Sequence, residues 1–186
     1  MRIILVRHGR PHIALSPRTG SHGFGDYIGA YDAAPLDPDS LPPPELATLG
    51  RELAAVFASD RPRSYQSAAA LAPHVTPIRD SLFAEAPLAS PPIPLLRMHV
   101  PGWAVVSRIL WHLGFSPCIE GWAAASHRAE RAADILIAHA RDKGTAALVA
   151  HGYFNWMIGR VLKRRGFLRR GSHRARYWNT VTYEKN

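Results

Sequence analysis

Two short runs along the chain, Met1–Val6 and Thr145–Ala150, are apolar at almost every position. Unbroken apolarity of that length marks a strand covered on both faces, as in a parallel sheet. Elsewhere the period lengthens to three or four. Leu46, Leu49, Leu53 and Phe57 predict a helix over Glu45–Phe57, just after a proline. A helix beginning near Ser64 carries Ala68–Leu71 and ends before Pro73, and Pro101 suits the first turn of a helix running to Leu113. An Ala-rich helix is predicted over Trp122–Arg141 and is stopped by Gly144. Phe154, Met157, Ile158, Val161 and Leu162 share one face of a helix over Tyr153–Arg164. Val75–Ile78 and the aromatic, β-branched stretch Arg176–Tyr183 read as further strands. Arg10–Pro44 and Ala86–Pro101 are rich in glycine or proline and predict irregular loops. Strands alternating with helices predict an α/β fold, a single domain over residues 1–186. Its central sheet is expected to be mostly parallel and flanked by helices on both faces.

Composition narrows the setting. With 47% apolar residues the chain can bury a sizeable core. The one cysteine, Cys118, cannot form an internal disulfide, which favours a reducing compartment. No apolar stretch approaches the ~18 residues of a membrane span, and the first apolar run is too short for a signal peptide. A cytoplasmic protein without a membrane partner is expected. The net charge is +9, from 23 Lys and Arg against 14 Asp and Glu. Eight of the basic residues (Arg160, Lys163, Arg164, Arg165, Arg169, Arg170, Arg174 and Arg176) lie between positions 160 and 176 with no acidic residue among them. The rest of the chain, with 15 basic residues against 14 acidic, is nearly neutral. The cluster opens one reading as a non-catalytic protein holding RNA or another polyanion.

A second reading starts from a repeated design. Leu5-Val6-Arg7-His8-Gly9 and Leu148-Val149-Ala150-His151-Gly152 each run an apolar strand into His-Gly. Ligands of open α/β sheets bind beyond the carboxyl ends of the strands, so both histidines fall where a site forms. The glycines allow a tight turn and close approach of a ligand. Arginine presents a forked set of donors that suits a phosphate dianion, and neutral imidazole is a competent nucleophile near pH 7.

These residues resemble the signature of the histidine phosphatase superfamily, whose fold is phosphoglycerate-mutase-like. Arg7-His8-Gly9 stands where the family has Arg-His-Gly after its first strand. Ser59-Asp60-Arg61-Pro62-Arg63-Ser64-Tyr65-Gln66-Ser67-Ala68 matches a Ser-Asp-x-x-Arg-x-x-Gln-Thr-Ala pattern at a helix start, with Ser67 for Thr. It places Arg63 on the family's second arginine. His151 matches the second histidine. Leu82-Phe83-Ala84-Glu85 offers Glu85 as proton donor, one residue beyond the commonest spacing. The resemblance covers most of the chain. It implies a phosphatase in which His8 is the nucleophile, Arg7 and Arg63 bind the phosphate, His151 stabilises the transferring group and Glu85 serves the leaving oxygen. It implies no metal and no other cofactor, and a phosphorylated small molecule or phosphoprotein, phosphohistidine included, as substrate.

The chain also departs from that pattern. Pro11 and Ala14 stand where many members carry Thr and Asn, and Ala86-Pro87-Leu88 follows Glu85 in place of a Gly-x-Trp-Glu-Gly-like continuation. The Glu-Ser that follows Arg-His-Gly in the mutases is missing, so mutase activity is not expected. Asp26, Asp32, Asp80 and Glu120 compete with Glu85 for the acid role. His12 lies four residues from His8, but Pro11 and the expected loop argue against a shared metal. His22, His99, His127 and His173 read as surface or rim groups. Trp103, Trp111 and Trp122 would either line a pocket or pack in the core. The oligomeric state stays open.

Overall fold

The protein is seen in a computed structural model described over residues 1–14 and 18–186. Residues 15–17, within the predicted Arg10–Pro44 loop, lie outside the described residues. The two apolar runs form the middle of a six-stranded sheet. β1 (Arg2–Arg7) pairs in parallel with β4 (Thr145–Ala150), Ile3 opposite Ala146 and Arg7 opposite Ala150. β2 (Phe57–Ser59) lies parallel to the other edge of β4, and β3 (Ile78–Asp80) lies parallel to β2. Beyond β1 the sheet turns antiparallel, first with β6 (Thr180–Glu184) and then with β5 (Leu168–Arg170). The order is β3-β2-β4-β1-β6-β5, a mostly parallel sheet as expected.

Successive residues of β1 point to opposite faces. Ile3 and Leu5 enter one core with α5 (Trp122–Lys143) and α6 (Gly152–Arg164). Ile4 and Val6 enter the other with α2 (Pro44–Arg51) and α3 (Pro62–Leu71). All four are at most 1% exposed, a burial worth about 2 kcal/mol each. Small residues bring α5 close to the sheet, since Ala125, Ala129, Ala132, Ala133 and Ala140 are all buried along one side. α1 (Ser21–Ala33) and α4 (Val100–His112) pack together over the carboxyl end of the sheet, where Phe24 stacks on Trp103 at 5.9 Å. Trp103 and Trp111 are core residues whose ring nitrogens donate to the Thr19 and Glu120 carbonyls at 2.8 Å.

Several elements differ from expectation. The predicted loop Arg10–Pro44 contains α1, although Gly23, Gly25 and Gly29 lower its helix propensity and Phe24 is its one buried residue. Its contact with α4 supplies what propensity does not. The predicted helix Glu45–Phe57 stops at Arg51. Phe57, which continued the helical period, belongs to β2, and its burial comes from the sheet. The strand expected at Val75–Ile78 begins only at Ile78. β5 is basic and exposed and carries no apolar pattern at all.

Candidate active site

The in-register pairing of β1 with β4 decides the geometry. Because Arg7 stands opposite Ala150, the next residues, His8 and His151, leave the sheet side by side. The His8 amide donates to the Ala150 carbonyl at 2.9 Å, and the two imidazoles are 5.1 Å apart. Both are almost wholly buried. A Cβ on Gly9 would lie 2.6 Å from Leu36 Cδ1 and 2.8 Å from Trp178 Cε2, so glycine there serves close packing rather than a left-handed turn.

Hydrogen-bond partners fix the state of each ring. Nδ1 of His8 lies 2.7 Å from the Gly9 carbonyl, which only accepts, so Nδ1 carries the hydrogen. The lone pair is left on Nε2, where Arg63 Nε donates at 3.3 Å. Burial, then the nearby Arg63 and Arg7 guanidiniums, hold the His8 pKa well below 6.5. For His151, Arg63 Nη2 is 3.5 Å from Nδ1, and Nε2–H donates to Ser59 Oγ at 2.9 Å. Its pKa is also well below 6.5, through burial first and then His8 and Arg63. Both rings are therefore neutral at pH 7.

Arg63 comes from the first turn of α3, which follows β2 directly, and is 1% exposed. Nη1 donates to the Tyr31 carbonyl at 2.6 Å and the Asp32 carbonyl at 3.2 Å, at the end of α1. Nη2 also meets Asp32 Oδ1 at 3.2 Å, and the guanidinium lies over the Tyr31 ring at 4.4 Å. Asp32 binds Arg61 as well, at 3.3 Å. The carboxylate thus sits between two arginines. Arg7 donates to the Ala175 carbonyl and lies over the Tyr177 ring at 4.8 Å, while its buried Nε has no protein partner.

Glu85 projects from the loop after the 3-10 turn Ser81–Phe83. Its carboxylate accepts from the Phe154, Ala86 and Tyr153 amides at 2.8, 3.0 and 3.2 Å. It caps the start of α6, so that helix terminus, directly after His151, is not left open for an anion. Arg128 braces the same loop by donating to the Leu82 and Ala84 carbonyls at 2.9 and 2.7 Å.

One cleft of about 450 Å³ gathers Arg7, His8, Arg63, Glu85 and His151, the five residues singled out from the sequence. Of the competing acids only Asp32 joins them. Asp26 is exposed on α1 beside His22, Asp80 accepts from the Leu82 amide, and Glu120 pairs with Arg128 at 2.6 Å. Pro11 is buried against Leu36 and Ala14 is exposed. Ser59, Tyr31 and Tyr177 are site residues that sequence reasoning did not assign. Ser59 stood within the matched pattern, so a signal for it existed; the two tyrosines had none. The basic stretch 160–176 is dispersed over α6, β5 and the loop after it. Arg164, Arg165 and Arg170 pair there with Glu130, Asp134 and Glu184.

A neutral imidazole in a cleft, between arginines and a second imidazole, is chemically able to act as a nucleophile, and the arginines are able to bind an anion. No family model matches the chain, and no curated protein sequence matches it significantly. Solved structures do match. The chain is similar to an ecdysone phosphate phosphatase from Bombyx mori determined with tungstate, at 15% identity and a TM-score of 0.60, covering 98% of this chain and 90% of that one. It is similar to a phosphoserine phosphatase from Entamoeba histolytica, at 13% identity and a TM-score of 0.58, covering 97% and 89%. A mycobacterial glucosyl-3-phosphoglycerate phosphatase gives 15% identity and a TM-score of 0.53 over 88% and 79%. The fold is thus phosphoglycerate-mutase-like. At these identities the likeness speaks for the architecture.

Proposed function

We propose that the protein is a phosphatase that hydrolyses phosphomonoesters through a phosphohistidine on His8, without a metal. The observation that carries this reading is the lone pair on His8 Nε2, held in the cleft by the Nδ1–H bond to Gly9 and flanked by Arg63 and His151. In the first step Nε2 attacks phosphorus, the N–P bond forms and the ester P–O bond breaks. Glu85, entering this step as the protonated acid, gives its proton to the departing alkoxide and is left as the carboxylate, the Oε2 contact at 3.2 Å being the looser of its bonds. In the second step water attacks phosphorus, Glu85 takes back a proton, and the N–P bond returns its electrons to His8. Arg7 and Arg63 offset the charge on the equatorial oxygens. Ser59 Oγ both donates and accepts, so it can hold the His151 ring in either tautomer, and exchange of the ring hydrogen with solvent as phosphate displaces Arg63 Nη2 gives the Nδ1–H form. The ring then donates to a phosphoryl oxygen without becoming charged. Three phosphatases sharing the fold support the reading.

Steady-state turnover of phenyl phosphate tests it. The expected result is hydrolysis that is indifferent to chelator and lost in His8→Ala. Full activity of that variant would overturn the proposal.

A further inference from the structure

The cleft that holds the histidines and arginines also has an apolar lining. Tyr27 and Ile28 of α1, Leu88 of the loop after Glu85, Val100 and Ala104 of α4, and Ile119 supply it, and Tyr27 and Ile28 lie one helical turn from Tyr31 and Asp32. The arginines bordering the cleft are each anchored by the protein. Arg61 is on Asp32, and Arg63 is on Asp32 and the end of α1. Arg108 donates to the Ala86 and Pro87 carbonyls at 2.8 and 3.2 Å, with its guanidinium over the rings of Tyr153 and Trp111 at 4.0 and 4.7 Å. Arg7 keeps a buried donor, Nε, without a protein partner, and it stands beside His8 at the phosphate end. A second anionic group on the substrate, such as a carboxylate beside the ester, meets chiefly apolar walls along this lining, and the Nη1 and Nη2 donors of Arg108 are held by backbone carbonyls. An apolar ring meets aliphatic and aromatic walls and displaces water from them.

We infer that the preferred substrates are phosphomonoesters of apolar, ring-bearing alcohols rather than of small charged metabolites. This rests on the phosphatase reading for turnover, but not for binding. The contacts α1 and α4 make with the leaving group are specificity contacts, remote from the reacting atoms.

The test uses phenyl phosphate, 2-naphthyl phosphate, O-phosphoserine and 3-phosphoglycerate. The first two have leaving groups of similar acidity, so the second ring reports the apolar wall. The expected result is a kcat/KM roughly tenfold higher for 2-naphthyl than for phenyl phosphate. Binding to His8→Ala protein, followed by calorimetry, separates the two claims. There 2-naphthyl phosphate should bind at least about tenfold more tightly than O-phosphoserine or 3-phosphoglycerate, whether or not the wild type turns any of them over. Ile28 is half-buried at the cleft wall, and Ile28→Lys should weaken 2-naphthyl phosphate and strengthen 3-phosphoglycerate. Equal binding of all four, or tighter binding of the charged metabolites, would overturn the inference and leave the His8 mechanism standing. Turnover by His8→Ala with the naphthyl preference intact would do the reverse.

Discussion

Asp32 places a negative charge where a phosphate has to come, and Asp32→Asn should therefore strengthen anion binding. The carboxylate is 3.2 Å from Arg63 and 3.3 Å from Arg61, and its side chain is 33% exposed. A phosphate bonded to Arg63 lies about one guanidinium away, roughly 4–5 Å. Two unit charges at 4 Å repel by about 1 kcal/mol even at the dielectric of water. With a dianion facing a partly exposed carboxylate, about 1–2 kcal/mol of repulsion is relieved, or about five- to thirtyfold in affinity. Arg63 stays in place in the variant, because the Tyr31 and Asp32 carbonyls, the Tyr31 ring and His8 still hold it. Asparagine also keeps an acceptor oxygen. The assay is competitive inhibition by inorganic phosphate and orthovanadate, with a thermal melt to show that the fold is retained. Unchanged or weaker inhibition in a normally folded variant would refute the reasoning, because Asp32 would then be supporting the arginines rather than opposing the phosphate.

Three further outcomes follow from the geometry. Glu85→Gln keeps an acceptor for the α6 amides, so it should melt close to wild type while losing much more rate on alkyl than on phenyl phosphate. Glu85→Ala should in addition lose about 1 kcal/mol of stability from the missing cap, and an equal rate loss on both ester types would move the acid elsewhere. Ser59→Ala removes the group that orients His151 and should lower kcat about tenfold or more with little change in KM; activity kept in Ser59→Thr but lost in the similarly sized Ser59→Val would separate orientation from packing. His8 and His151 are held neutral well below their ordinary pKa, and His173, half-buried against the Tyr183 hydroxyl, is lowered to about 4. Below pH 6.5 the unfolded chain therefore binds more protons than the folded one. The stability these rings contribute is complete above that pH and is lost as pH falls toward the folded values. Urea midpoints should be level from pH 8 to 7 and fall below 6.5, whereas level midpoints down to pH 4.5 would contradict the burial argument.

The legible parts of the chain were those whose signal is local. Thr145–Ala150 was read to the residue, because a strand buried on both faces has to be apolar throughout. Four of the five cleft residues were legible because each sits in a short motif at a strand end or helix start, and Glu85 was legible only through its spacing after Leu82. What escaped depends on contacts between distant segments. α1 has three glycines and a single buried residue, and it is a helix because Phe24 finds Trp103 some eighty positions later. Its end then supplies the carbonyls and carboxylate that hold Arg63, which no pattern around Arg63 announces. β2 and β5 are three residues each, too short for any period to show, and Phe57 fell on a helical period by coincidence. The charge cluster at 160–176 was conspicuous in sequence, but the acidic partners that offset part of it, Glu130, Asp134 and Glu184, lie outside that stretch and so were not legible beside it.

The most direct measurement of the central claim is a single-turnover reaction with phosphate-labelled phenyl phosphate, quenched separately in acid and in base and mapped by peptide. The expected result is a phosphoryl group on His8 that survives base, is lost in acid, and is missing from His8→Ala. Label on any other residue, or an acid-stable phosphoester on a serine, would contradict it.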